Sequence, residues 1–199
     1  MKQRGRPRKF DRNEILKKAM MTFWSQGYDR TSMSDLTESM GLNSPSIYAA
    51  FGSKDQLFQE VVELYLATEG QLIWSAVKAE SNARSATEKM LNMSAEVFTQ
   101  PHKPGGCLVT LGAIHSGKKS TEIHQLLSEK RNNATQMLKD ILVQGKMSGE
   151  ISEKSNVEAI ADYYIAIQQG MSIKARDGAG KDSLLKIAEL AMNTWNTLT

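Results

Sequence analysis

The chain has 199 residues, 40% of them hydrophobic and 24% charged, with a net charge of +3. That is apolar material for one large domain or two small ones, and too little positive charge for a uniformly basic coat. A single cysteine, Cys107, excludes an intramolecular disulfide and favours a reducing, cytoplasmic location; neither a secretory leader nor a membrane span is expected, because no apolar run is long enough.

Charge is concentrated in residues 1–10. Lys2, Arg4, Arg6, Arg8 and Lys9 stand there without an acidic residue, which leaves −2 for residues 11–199 once these five are taken from the total of +3. Gly5 and Pro7 oppose regular structure, so this decapeptide is expected as an extended arm. It is either a solvated tail or an arm that follows a nucleic-acid backbone.

Helical patterning begins at Asp11. Asp11 and Glu14 have capping-box spacing, and Ile15, Leu16, Ala19, Met20 and Phe23 form an apolar stripe on a first helix running to about Gln26. Ser32 and Asp35 form a second capping box for a short helix with Leu36 and Met40 inward, stopped by Gly41. Asn43 caps a third helix, with Ser44 and Pro45 in its first turn and Ile47 and Phe51 inward. Ser53, with Gln56 three residues later, opens a fourth. Its stripe runs from Leu57 to Tyr65 and, if Gly70 does not break it, onward to Val77, which predicts a helix of roughly 25 residues, about 38 Å long. Further helices are expected over Ala86–Thr99, Cys107–His115, Thr121–Gly145, Val157–Ala175 and Leu184–Leu198, with a loop at residues 100–106. The fold class expected is all-α: an arm over 1–10, a helix–turn–helix unit over 11–53, and a larger helical unit over 54–199.

The second and third helices carry the clearest chemistry. A helix that reads DNA bases must be slim where it enters the major groove. Ser44, Ser46 and Ala49 provide small side chains, and Tyr48 can reach a phosphate oxygen. Lys54, at the start of the fourth helix, and Thr31 and Ser32, before the second, are further candidate phosphate anchors. The competing structural roles are capping for Ser32, Asn43 and Ser53, and half-buried packing for Tyr48.

Residues Phe23 to Gly27, Thr31-Ser32-Met33, Asp35-Leu36, Gly41-Leu42, Ile47-Tyr48, Phe51, and Lys54 through Leu57-Phe58 together resemble the tetracycline-repressor (TetR) family of bacterial transcription regulators. The resemblance implies an N-terminal three-helix DNA-binding unit and a C-terminal helical unit for ligand binding and dimerisation. It implies that Ser44 to Phe51 enters the major groove, with phosphate contacts from Thr31, Tyr48 and Lys54. Pro45 stands where many members have a small residue, and it removes one backbone donor. The basic arm, with Arg4, Arg6, Arg8 and Lys9, would follow the backbone or reach a neighbouring minor groove.

In the second unit Trp74, Met90, Met93, Phe98, Met137, Tyr163, Tyr164 and Met171 can line an apolar cavity or form ordinary core; Cys107 and Leu111 join the cavity candidates. Cys107, near a helix start, is either a redox- or electrophile-sensing thiol or a buried inert one. Cys107, His115 and His124 lack metal-ligand spacing, and no metal or cofactor is expected. Ile160, Tyr164 and Ile167 on one helix, and Leu184, Ile187, Ala191 and Trp195 on the next, are candidates for a four-helix dimer interface. No phosphate loop, nucleophile elbow or His-Glu metal motif points to an enzyme. The function expected is that of a homodimeric, ligand-responsive regulator, most simply a repressor that releases a palindromic double-stranded operator when an unknown small molecule binds. A Cys107 sensor and an effector-independent DNA-binding protein are the alternatives.

Overall fold

The computed structural model describes residues 11–112 and 121–199, and all regular elements among them are helices. Arg4, Arg6, Arg8, Lys9 and His115, with the roles expected of them, lie outside the described residues.

Three short helices form the N-terminal unit: α1 (Arg12–Gln26), α2 (Met33–Met40) and α3 (Ser44–Phe51). Each starts at a side-chain cap. Asp11 accepts from Asn13 N at 2.9 Å, but Glu14 does not complete the capping box; it pairs with Lys17 at 2.7 Å instead. At α2 the box is complete: Ser32 Oγ accepts from Asp35 N at 3.1 Å, and Asp35 Oδ2 accepts from Ser32 N at 2.7 Å. Ser32→Ala is therefore expected to cost about 1 kcal/mol, measured as a lower denaturant midpoint with unchanged slope. Asn43 Oδ1 accepts from Ser46 N at 2.9 Å and starts α3. Between α2 and α3, Gly41 adopts the left-handed conformation at φ 68°, which lets the chain reverse within a few residues.

Lys54–Tyr65 (α4), a π-helical segment at Leu66–Gly70, and α5 (Gln71–Lys78) form one 25-residue run, as the stripe predicted. Gly70 keeps helical angles, φ −63° and ψ −38°, and does not break it. The π segment was not anticipated. Its physical reason lies in the spacing of the buried residues Leu57, Val61, Tyr65, Glu69, Ile73 and Val77. Steps of four overrun the 3.6-residue α-turn, and the wider π turn takes up part of that drift. A boundary at residue 53 divides residues that share a core: Leu57, Phe58, Val61, Val62 and Tyr65 pack with Phe23, Trp24, Ile47 and Phe51, and Leu108, Ile123 and Leu127 join them.

The C-terminal unit comprises α5, α6 (Ala83–Phe98), α7 (Leu108–Leu111), α8 (Thr121–Met147), α9 (Val157–Arg176), α10 (Lys181–Met192) and α11 (Trp195–Leu198). The helix expected over Cys107–His115 is helical only at α7 before a turn at Gly112; the rest of that stretch is not described. The helix expected over Leu184–Leu198 divides after Met192, where Thr194 Oγ1 donates back to Ala191 O at 2.7 Å.

The dimer-interface candidates need correction. Ile160, Tyr164, Leu184, Ala191 and Trp195 are buried in the chain's own core, and only Ile167 and Ile187 are half-buried. The most apolar stripe of each helix is used within the subunit, because the C-terminal core needs it first. What α9 leaves outward is a parallel stripe of the same 3–4 spacing, Tyr163, Ala166, Gly170 and Ile173. On α10 the large apolar residue left outward is Leu190, 67% exposed. Among the described residues no helix is long and apolar enough to cross a membrane.

Candidate nucleic-acid interface and effector cavity

On α3 the inward pair is Ile47 and Phe51, as its spacing predicts. Pro45 and Ala49 are exposed, Ser44 and Ser46 half-exposed, and Tyr48 is 46% exposed with its phenol outward. These five residues make one solvent-facing surface with no large charged group. The surface is slim enough to approach base edges, and its polar groups are hydroxyls.

Two expected anchors are oriented differently. Thr31 is 1% exposed, and its Oγ1 donates to Gly27 O at 2.7 Å, so its hydroxyl holds the α1–α2 connector and does not face solvent. Lys54 Nζ donates to Tyr28 O at 2.8 Å and stands 4.2 Å from the centre of the Tyr28 ring. Burial lowers the Lys54 pKa from its ordinary value. Lys54 thus ties the start of α4 to the connector. Ser32 is exposed but fully engaged in its capping box.

Sequence reasoning missed three supports of this surface. The Arg12 guanidinium lies 4.4 Å over the Phe51 ring and pairs with Glu60 at 2.7 Å, clamping α1, α3 and α4 together. Tyr28 stacks on Phe23 and meets Phe58 edge-on, while its hydroxyl donates to Asp55; burial, aided by Asp55, raises its pKa. Arg176, at the far end of α9, donates from Nη2 to Trp24 O at 2.7 Å, from Nη1 to Ser25 O at 2.9 Å and from Nε to Gly105 O at 2.8 Å. It supplies the acceptors at the C-terminus of α1 with donors from the other unit. Trp24 Nε1 donates in return to Gly106 O at 3.1 Å. The sequence pattern ends this helix at about Ala175 and leaves Arg176 in the following turn, whereas α9 includes it as its last residue.

The cavity candidates divide. Trp74, Phe98 and Cys107 line an inner cavity of about 60 Å3, together with Tyr65, Ile73, Arg131 and Gln168. Met137 borders an adjoining groove of about 350 Å3, which Trp74 also lines. Met93 opens on a different surface, near Pro101, and Tyr163 is on the outer face of α9. Met171 is in the core, and Leu111 is half-buried outside the cavity wall. The helix after Cys107 has four residues, too few to build a sizeable macrodipole, and Cys107 N donates to Ser172 Oγ at 2.8 Å. No group of three metal-ligating side chains exists among the described residues.

Residues 15–61 match the family model described as bacterial regulatory proteins, tetR family, and residues 86–182 match the tetracyclin repressor-like C-terminal domain. The chain is 34% identical to the HTH-type transcriptional repressor ComR of Escherichia coli (strain K12), over 99% of this chain and 94% of that protein. It is 26% identical to the HTH-type transcriptional repressor BdcR of the same organism, over 98% and 93%. A cysteine-substituted form of the TetR family regulator CifR, solved with 26-base-pair double-strand operator DNA, has 33% identity and a TM-score of 0.91, covering 96% of this chain and 100% of its own.

Proposed function

The chain belongs to the tetR family of bacterial regulatory proteins, and from that premise we propose that it is a DNA-binding transcriptional repressor that leaves its operator when a small molecule occupies the cavity beside Trp74. The observation that carries this reading is the slim, hydroxyl-bearing outer surface of α3, held by caps at Asn43 and Ser53 and clamped from behind by Arg12. Ser44, Ser46 and Ala49 approach base edges, and Tyr48 contacts a phosphate. The arm residues Arg4, Arg6, Arg8 and Lys9 add charge along the backbone. Thr31 and Lys54 act indirectly, by fixing the connector on which α2 stands.

A palindromic operator requires two copies of α3 about 34 Å apart, or a multiple of that spacing. The outward stripe of α9, with Leu190 of α10, is the face through which two subunits pair. Gly170 has open space where a Cβ would stand, so a partner helix can come close there. Such a regulator works in the cytoplasm, where the chromosome is.

Tyr48→Phe tests the DNA surface with minimal effect on the fold, because the phenol is exposed and the ring is retained. Affinity for operator selected from random duplex DNA is expected to fall about tenfold. The slope of log affinity against log salt should hardly change, because the lost contact is neutral. Unchanged affinity would remove Tyr48 from the interface; loss of affinity for one sequence alone would make it a base reader.

A further inference from the structure

The inner cavity and the outer groove meet beside the π-helical segment. Leu66, Gly70, Trp74, Lys130 and Ala134 border both, so a bound molecule can extend from one into the other. The walls are mainly aromatic and aliphatic, yet two adjacent cations, Lys130 and Arg131, stand in them. Among the described residues, no aspartate or glutamate lines either space. Lys130 is neutralised by Glu63 at 2.6 Å, on the outer surface. Arg131 is not neutralised. Its Nη1 donates to Val109 O at 3.0 Å, and among the described residues no carboxylate lies within ion-pair distance of it. Residues 1–10 and 113–120, which are not described, contain no acidic residue. Burial lowers the Arg131 pKa from its ordinary value, but a guanidinium stays charged throughout the physiological range. A half-buried cation at an apolar wall is unfavourable until an anion meets it, and its planar donors suit a carboxylate. Gln168, whose Nε2 donates to Ser94 Oγ at 2.7 Å, adds polarity without charge.

We infer that the effector is an organic anion with a hydrophobic body, a medium-chain or aryl carboxylate, whose carboxylate pairs with Arg131 and whose body passes Trp74 toward Met137. This rests on the cavity being the effector site of the proposed repressor. It goes further in naming the chemistry.

The test uses the full chain and octanoate and 4-phenylbutyrate as probes, each against its neutral alcohol and primary amide, with binding followed calorimetrically. Both carboxylates are expected to bind at least about tenfold tighter than their neutral partners, as a charge-assisted pair gives. Arg131→Gln should abolish that preference, and Arg131→Lys should keep most of it. A melting curve for each variant confirms that it is folded, and the discrimination by the unaltered protein needs no variant. Equal binding of alcohol and acid, no binding of either carboxylate, or a preference that survives Arg131→Gln would overturn the inference. Operator retention is read in the same titration. A carboxylate that binds through Arg131 but leaves the operator bound would uphold the ligand chemistry and overturn ligand-driven release.

Discussion

Arg176→Ala is expected to destabilise the protein by about 2–4 kcal/mol, far more than a half-exposed arginine usually contributes. The guanidinium serves three main-chain carbonyls, those of Trp24, Ser25 and Gly105, and alanine leaves all three without that donor. Two of these carbonyls belong to the last turn of α1, so the loss falls on the DNA-binding unit although the side chain comes from the other. Arg176→Lys should recover only part of the stability, since one ammonium cannot reproduce a fork reaching three acceptors. Denaturant titration measures the stability. Operator affinity, measured where the variant is still folded, should also fall, because the clasp sets where α1 sits against the loop at 105–106. Wild-type stability in Arg176→Ala would show that water replaces the clasp without cost.

The second large effect is expected at Gly106. Its φ of 77° is in the region that disfavours side chains, and an added Cβ would stand 2.4 Å from Ser172 O and 2.7 Å from Leu111 Cδ1. Gly106→Ala combines left-handed strain with overpacking against the backbone of α9, together about 2–5 kcal/mol. Because Trp24 Nε1 donates to Gly106 O, a shift of this loop also disturbs α1. Thermal unfolding of Gly106→Ala beside Ser172→Ala separates the two contributions. Relief by the second substitution would assign part of the cost to the serine side chain, while an unrelieved loss would assign it to the main chain.

The parts of this molecule that were legible in the sequence are those encoded within one helical turn. Ser32 and Asp35, Asn43 and Ser46, and Ser53 and Gln56 are three residues apart, and each makes the bond its spacing implies. The inward pairs of α2 and α3 follow from the same short-range periodicity. Glu14 departs from it because Lys17, equally close, offers a full charge. What was not legible depends on partners far along the chain. Lys54 turns to Tyr28, 26 residues away, and Arg176 reaches Trp24, 152 residues away. Ile160, Tyr164 and Leu184 form as good an apolar stripe as an interface would need, and periodicity does not say whether the covering surface is the same chain or a second copy. The cavity was legible only in part: Trp74, Phe98 and Cys107 converge, whereas Tyr163 and Met171 lie on other faces of their helix.

The π-helical segment links several of these features. It contains Glu69, whose carboxylate is almost fully buried and pairs through Oε1 with Lys103 at 2.6 Å, while Oε2 has no hydrogen-bond partner among the described residues. Lys103 belongs to the loop that carries Gly105 and Gly106, and Leu66 and Gly70 of the same segment border the cavity. A π turn holds one more residue than an α turn, so the long helix carries slack at this point. If that slack passes along the helix, α5 turns about its own axis by roughly the angle of one residue, about 100°, while α4 keeps its seat against Phe23 and Trp24 of α1. The long rod between the two units would then behave less as a lever than as a screw.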